Sequence, residues 1–196
     1  MSRLANVSGA LLLGGASSRM GRDKAALPIG ETRFATHLAG LLGSLFEEVL
    51  LVGGAPPDDT PGRAVSDPSG PVCALRGLVA ALSATRAERV LVLATDLPLL
   101  TADLLLALTA WPEHDAVAPR DEAGTHPLCA VYRRVPVLEI ARERLEAGQL
   151  QLHALLDVLD TGYLEGADLA CVDPDTKALT NINTPEDLIR AETLLA

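Results

Sequence analysis

The strongest constraint on this chain is a run of apolar residues that ends in two glycines. Residues 7–13 read VSGALLL, with Leu11, Leu12 and Leu13 consecutive, and Gly14 and Gly15 follow at once. An apolar run of this kind reads as a strand buried on both faces, as in parallel sheets. Glycine lets the backbone take positive φ and lets a ligand approach the main chain closely. The small residues Ala16, Ser17 and Ser18 come next, and then the cations Arg19, Arg22 and Lys24. A glycine-rich turn at the carboxyl end of a first strand, followed by cations, is where an open α/β sheet binds a phosphorylated ligand. The stretch is neither GxxxxGK[ST] nor a GxGxxG that opens a helix, so a plain turn with solvated cations is the competing reading. Local positive charge in a chain of formal net charge −10 favours the binding reading, because a polyphosphate needs it.

Apolar runs and helical stretches alternate through the first half. Residues 32–46 carry Phe34, Leu38, Leu41, Leu42 and Leu45 at helical spacing, with Thr32 as a cap. Residues 48–52 read as a strand ended by Gly53-Gly54, and 63–66 as a weakly signalled third strand before the breaker cluster Asp67-Pro68-Ser69-Gly70-Pro71. A helix is expected over 72–85, a strand over 89–94 and a helix over 102–109 capped by Thr101. This is the pattern of βαβ units and a parallel sheet, so the carboxyl ends of the strands share one rim. Gly14-Gly15, Asp67 and Asp96 each follow an expected strand and fall on that rim.

The second half is less regular. Strands are expected over 115–119 and 126–132, helices over 135–146 and 150–159, and one or two short strands within 163–172. The last helix, 185–195, has the clearest start in the chain: Thr184 as cap, Pro185 at the first helical position and Asp187 three residues after the cap.

The 196 residues, 48% hydrophobic, suit one domain with a sizeable core built from Leu, Val and Ala, since aromatics are only 3%. The acidic balance argues against nucleic-acid or membrane surfaces as partners. No apolar run is long enough to span a bilayer and no signal peptide is visible. Cys73, Cys129 and Cys171 lie far apart. They read as reduced thiols of a cytoplasmic protein, with burial as small hydrophobes expected for all three.

Asp96 stands directly after an apolar strand, with Pro98 fixing the turn behind it. An acidic side chain there suits Mg²⁺, which takes one or two carboxylates and fills its remaining positions with phosphate and water. Capping of the next turn is the structural alternative. For Asp67 the alternative is an Asx-turn before proline. His37, His114 and His153 have no metal-like spacing and are assigned to surface or packing.

Leu12-Leu13-Gly14-Gly15, Ser18-Arg19-Met20-Gly21 and Asp23-Lys24 together resemble the signature loop of nucleotidyltransferases, most closely that of the molybdenum cofactor guanylyltransferases of the MobA type. Leu13 replaces the family's usual alanine, and Arg22 alone forms the spacer before Asp23. Asp96-Leu97-Pro98 resembles the family's metal-binding Asp-x-Pro, and Asp67 with Gly70-Pro71 its nucleotide-contacting Asp…Gly-Pro loop. Gly124-Thr125-His126-Pro127 resembles its His-Pro strand entrance. Asn181-Ile182-Asn183-Thr184-Pro185-Glu186-Asp187-Leu188 is similar to its Asn-x-Asn-Thr-Pro-x-Asp/Glu-Leu. A structural hydrogen bond for His126 and a helix cap for the asparagine run remain open beside any binding role.

The resemblance implies a Rossmann-like three-layer αβα nucleotidyltransferase fold with a mainly parallel sheet. It implies a single domain over 1–196, with a nucleotide-binding first half of about 1–110 and an acceptor-binding second half of about 111–196. The implied reaction transfers GMP from GTP to Mo-molybdopterin, forming molybdopterin guanine dinucleotide and pyrophosphate. Arg19, Lys24 and Asp96 are then catalytic. Leu12, Leu13, Gly14, Gly15, Lys24, Asp67 and Asp96 bind nucleotide, Asp96 holds Mg²⁺, and His126, Asn181 and Asn183 meet the acceptor. GTP and Mo-molybdopterin are the implied partners, with transient contacts to other molybdenum cofactor enzymes, and with neither nucleic acid nor membrane. A molybdopterin cytidylyltransferase and a sugar-phosphate nucleotidylyltransferase are the sibling alternatives, and Gly14-Gly15 favours the guanylyl branch by resemblance. A nucleotide-binding module without catalysis is the alternative of another class, and retention of Lys24 and Asp96 argues against it.

Overall fold

The computed structural model describes residues 3–13, 24–67, 70 and 72–195. The sequence assignments at Gly14, Gly15 and Arg19 lie outside the described residues. Strand β1 (Val7–Leu12) is the leading apolar run and is buried along its whole length. Its side chains alternate between two cores, Leu11 in one and Leu12 in the other, which is why the run carries no polar face. A short 3-10 turn (Lys24–Ala26) leads into a hairpin of β2 (Pro28–Ile29) and β3 (Thr32–Arg33). Then come α1 (Phe34–Leu45), β4 (Val49–Val52), β5 (Arg63–Val65), α2 (Ala74–Ala84), β6 (Arg89–Ala94) and α3 (Ala102–Thr109). The second half contains β7 (Ala116–Asp121), β8 (Gly124–Thr125), β9 (Cys129–Arg133), α4 (Arg134–Glu146), α5 (Leu152–Leu156), β10 (Thr161–Glu165), α6 (Gly166–Val172) and α7 (Pro185–Leu195).

The main sheet has the order β10-β7-β9-β6-β1-β4-β5, with β8 paired to β7. The pairs β1–β4, β4–β5, β1–β6 and β7–β10 are parallel, and β9 alone runs against both of its neighbours, β6 and β7. One core joins the sheet to α1, α3 and α6, and the other joins it to α2, α4 and α5. The result is the three-layer αβα arrangement expected from the alternation of elements. Full burial of each Leu in these layers contributes about 1.5–3 kcal/mol.

Register sets the rim. Leu12 of β1 stands opposite both Val52 of β4 and Ala94 of β6, and Val52 stands opposite Val65 of β5. The strands therefore end level, and the loops that follow them emerge side by side. From β1 the chain proceeds outward to β4 and β5, and it then returns to β6 on the other side of β1. The β1–β6 boundary is thus the topological switch point, where such sheets open a crevice for ligands.

Three local expectations are corrected. Thr32 belongs to β3, and the helix starts at Phe34 behind Arg33, whose side chain makes no capping bond. Residues 163–172 hold the end of β10 and then the helix α6, entered through Gly166 at a φ of 55°. Positive φ at that glycine turns the chain out of the strand without a Cβ clash. Cys171 is exposed and Cys73 half-buried, leaving only Cys129 in the core. Among the described residues, no helix is long and apolar enough to cross a membrane.

At the opposite edge of the sheet, Glu48 collects three donors. Ser8 donates at 2.8 Å and Thr85 at 2.5 Å to its Oε2, while Arg63 donates at 2.6 Å to its Oε1. Desolvation raises the pKa of the Glu48 carboxyl, but bonds from Arg63, Thr85 and Ser8 outweigh it and hold the group below its ordinary value. A depressed folded pKa contributes stability above the unfolded value of about 4.3, and that contribution is lost as pH falls through the folded value. Glu48→Gln should therefore lower Tm at about pH 7, with the difference from wild type shrinking as the solution is acidified below about pH 4. Thermal unfolding across that range tests this, and a difference that does not change with pH would remove the ionised network from the account.

Candidate active site at the rim of strands β1 and β6

Lys24, Asp96 and Asn183 meet at the switch point. Lys24 opens the 3-10 turn that follows the glycine-rich stretch, and Asp96 lies in the turn after β6. The Lys24 ammonium donates to Asn183 Oδ1 at 2.7 Å and lies 3.8 Å from Asp96 Oδ2. Its side chain is 17% exposed and that of Asp96 29% exposed, so both can reach a ligand in the crevice. The Ile182 amide donates to the Asp96 carbonyl at 2.8 Å. The C-terminal asparagine motif is therefore attached directly to the aspartate turn.

A third, smaller core seats this motif. Leu27 and Ile29 from beyond Lys24, Phe34 at the start of α1, Leu99 beyond Asp96, and Ile182 and Ala191 around the motif pack together. Apolar residues on both sides of the polar trio thus fix its backbone. The start of α7 follows the expected capping box: Thr184 Oγ1 accepts from the Asp187 amide at 3.2 Å. Asp187 Oδ2 accepts from the Asn183 and Thr184 amides at 3.0 and 2.9 Å. The Asn183 amide first, with Thr184 adding to it, holds the Asp187 carboxyl below its ordinary pKa.

Leu12 and Leu13 form the floor. Leu12 presses on α2 where Gly77 lacks a side chain; a Cβ there would lie 3.1 Å from a Leu12 methyl. Leu13 donates its amide to the Val52 carbonyl at 2.9 Å, and its side chain is buried. Only the backbone of these two residues is available to a nucleotide.

Asp67 lies beyond β5, on the same rim as Asp96 but past the end of the third strand along from β6. It does not join the Lys24 trio. It is held by Arg76 of α2, which donates to Asp67 Oδ2 at 2.9 Å and also to the Gly70 carbonyl. Sequence reading missed Arg76; its place one turn into a helix behind Gly-Pro gives no signal apart from its being a charge on a helix face that is otherwise buried. Gly53, at a φ of 70°, leaves room for the Asp67 carboxylate, which a Cβ would approach to 3.2 Å. Asp67 Oδ1 is buried without a hydrogen-bond partner among the described residues. An orphaned acceptor of this kind suits a ligand donor.

His126 sits where β9 begins, and because β9 is reversed, that beginning lies on the rim. Its Nε2 is 3.1 Å from Asp121 Oδ1. The approach is off-axis, and Nε2 has no hydrogen bond among the described residues. Asp121 Oδ1 already accepts the Ala123 and Gly124 amides. The His126 side chain is 10% exposed, and its unpartnered Nε2 lies beside the β7–β8 hairpin. Asn181 is exposed, two residues from the Lys24 contact. Cys129 lies at the first position of β9, fully buried; burial first, and the Asp96 carboxylate second, push its thiol upward and keep it neutral.

Among the described residues no group of three or more His, Cys, Asp or Glu could hold a metal ion. Asp96 supplies a single hard-oxygen donor at the crevice. That donor set fits an ion that takes one or two carboxylates and draws the rest of its shell from phosphate and water.

Arg76→Met should leave Asp67 partly buried and unpaired, at a cost of about 2 kcal/mol. The measurement is the urea midpoint at neutral pH, and an unchanged midpoint would mean that the pair contributes nothing to the fold.

Residues 9–160 match the MobA-like NTP transferase domain model. A protein of Pelotomaculum thermopropionicum called a probable molybdenum cofactor guanylyltransferase is 30% identical over 190 residues, covering 95% of this chain and 92% of that protein. The crystal structure of molybdopterin-guanine dinucleotide biosynthesis protein A from Archaeoglobus fulgidus superposes with a TM-score of 0.80 at 22% identity, covering 96% of this chain and 98% of that one. That of 2-C-methyl-D-erythritol 4-phosphate cytidylyltransferase from Thermus thermophilus superposes with a TM-score of 0.70 at 16% identity, covering 95% and 97%. At these identities the two structures speak for the fold alone. With the family model spanning most of the sheet and a relative matched over nearly its whole length, the chain belongs to the MobA-like NTP transferase family.

Proposed function

We propose that this protein transfers GMP from GTP to the terminal phosphate of Mo-molybdopterin, releasing pyrophosphate and forming molybdopterin guanine dinucleotide. The observation that carries the reading is the meeting of Lys24 and Asp96 at the β1–β6 switch point, in a chain whose relatives bear the guanylyltransferase name. The acceptor phosphate is a monoester with a second pKa of about 6, largely ionised near neutral pH, and needs no general base to act as nucleophile. One of its oxygens bonds to the α-phosphorus while the bond from that phosphorus to the β-phosphate bridging oxygen breaks. The electron pair leaves with pyrophosphate. The obstacle is repulsion between anions and charge in the transition state, which a site of cations and backbone donors meets without a catalytic histidine or nucleophile.

Lys24 Nζ neutralises phosphate charge as it grows, and Arg19 supplies a second cation. The backbone at Leu12, Leu13, Gly14 and Gly15 approaches the nucleotide. Asp67, pre-set by Arg76, offers its unpaired Oδ1 to a donor on the nucleoside. Asp96 fits as the protein ligand of Mg²⁺, which when bound supplies charge neutralisation and alignment of the phosphates. We assign the nucleotide to about residues 1–110 and the acceptor to about 111–196, with His126, Asn181 and Asn183 on the acceptor side. Transient contacts with enzymes that supply or receive the cofactor belong to the same proposal.

The shared fold with a cytidylyltransferase keeps base selection open to test. Four nucleoside triphosphates offered with Mo-molybdopterin, and the product read by mass, should give the guanine dinucleotide; a cytosine product would move the protein to the sibling activity. Lys24→Ala should lower kcat by about a hundred-fold or more while nucleotide affinity changes far less, because the charge is needed most in the transition state. A rise in KM alone would make Lys24 a ground-state contact. Asp96→Asn keeps size but removes the charge that holds the metal. Activity should be lost at ordinary Mg²⁺ and partly regained at high Mg²⁺, and full activity without added metal would return Asp96 to the role of a turn cap.

A further inference from the structure

We propose that Asp187, on α7 and remote from the reacting phosphates, is a positioning residue for Lys24 that acts through Asn183. The inference deepens the function proposed above and rests on it for its kinetic arm only. The chain of contacts is short. Asp187 Oδ2 takes both the Asn183 and the Thr184 amides. With its amide held, Asn183 presents Oδ1 to the Lys24 ammonium at 2.7 Å. The neighbouring Ile182 amide is anchored to the Asp96 carbonyl, and the Ile182 side chain is buried beside Leu27 and Leu99. Asn183 is therefore fixed on one side by Asp187 and on the other by the residue joined to Asp96.

This arrangement goes beyond capping. A cap needs Asp187 to reach the Thr184 amide and Thr184 to accept the Asp187 amide. The bond to the Asn183 amide lies one residue outside that box and serves the residue that grips the lysine. Lysine is a flexible cation with three rotatable donors and about 2 kcal/mol of rotamer entropy. An acceptor at 2.7 Å restricts that freedom before the nucleotide arrives. Removing the restraint leaves Lys24 present but poorly aimed, and a misplacement of about 1 Å can lower turnover by up to about a hundred-fold.

The sequence offers a direct probe, because Lys24 and Lys177 are the only lysines. Lys177 is paired with Asp175 at 3.0 Å, nearer the α6 end of the same α6–α7 connection that carries Asn183, and with its own partner it serves as the internal reference. Protein labelled with carbon-13 at the lysine ε-carbon should give two side-chain NMR signals. In Asp187→Ala the Lys24 signal should shift and that of Lys177 should stay. In Asp187→Asn both should stay, since a single oxygen accepts both amides and an amide oxygen can replace it. Asn183→Ala should reproduce the Lys24 shift while leaving Asp187 in place. Thr184→Ala, which removes the cap acceptor, should lower Tm without moving Lys24.

In the kinetic arm, Asp187→Ala should lower kcat about ten-fold with GTP affinity unchanged, and Asp187→Asn should recover it. Adding Asp187→Ala to Asn183→Ala should cost nothing further, as expected of residues acting in one chain. An unmoved Lys24 signal in Asp187→Ala would overturn the proposal. So would equal shifts in Thr184→Ala and Asp187→Ala, which would reduce Asp187 to a helix cap. Failure of wild type to transfer any nucleotide would sink the proposed function, while the NMR arm would still decide the role of Asp187.

Discussion

A lysine ammonium facing an aspartate carboxylate at 3.8 Å is the contact around which the molecule is arranged. At an effective dielectric of about 20 the gross attraction at such a distance is about 4 kcal/mol, and partial desolvation of both ions offsets much of it. The value of the pair lies in what each ion does for the other. Asp96 near a buried core and Lys24 in the same crevice would each be poorly solvated alone. Together they keep a cation and a hard-oxygen carboxylate in one place in a protein whose net charge, −10, repels polyphosphates at long range. A substrate carrying several negative charges is attracted only where the protein places positive charge, and Lys24 stands at the switch point.

Delivery of the pair depends on strand order. Lys24 follows β1 and Asp96 follows β6, and these two strands are hydrogen-bonded neighbours whose last residues, Leu12 and Ala94, stand in register. A one-residue slip would reverse the faces of β1 and drive Leu11 and Leu12 into the wrong cores. The same register that buries the leucines therefore also levels the rim. The C-terminal motif then closes the crevice from outside the sheet, held by Leu27, Leu99 and Ile182 in a small core of its own. The polar trio is framed by apolar contacts that come from both ends of the chain.

Much of this was legible where several signals agreed. Strand β6 and helices α3 and α7 run as the sequence predicts, because apolar pattern, cap residue and breaker coincide at their ends. The segment 163–172 misled because Tyr163 and Leu164 are strand formers, while the seven residues of α6 are too short to show a helical period. Thr32 misled because a cap-competent residue also suits a two-residue hairpin strand, and tertiary pairing with Ile29 decides between them. For the site, Lys24 and Asp96 each carried a local signal, whereas the bond from Lys24 to Asn183 spans 159 residues and leaves no trace in local pattern. Arg76 was hidden for a related reason. Its partner Asp67 lies nine residues earlier in the chain, and only the fold brings the carboxylate to the helix start.

The reversed strand β9 explains how the two halves of the chain come to share one rim. Between parallel neighbours, a strand running the same way would place its entrance on the far edge, away from the crevice. Because β9 runs against β6 and β7, its entrance, with His126 and Leu128, lies beside the ends of both: the Ala94 amide donates to the Leu128 carbonyl at 2.9 Å, and the His126 amide to the Pro119 carbonyl at 3.1 Å. The β6–β9 ladder also joins the halves through the middle of the sheet, and one hydrophobic core takes residues from Val7 to Leu179. We therefore read the nucleotide and acceptor regions as two stretches of one rim. Separating them near residue 110 would strip the partner from β6 along its whole ladder with β9 and leave a bare apolar edge, which is a site for aggregation. It would also detach Asn183 from Lys24. On the function proposed above, binding of the two substrates would be coupled through the same lysine, whose side chain is held by Asn183.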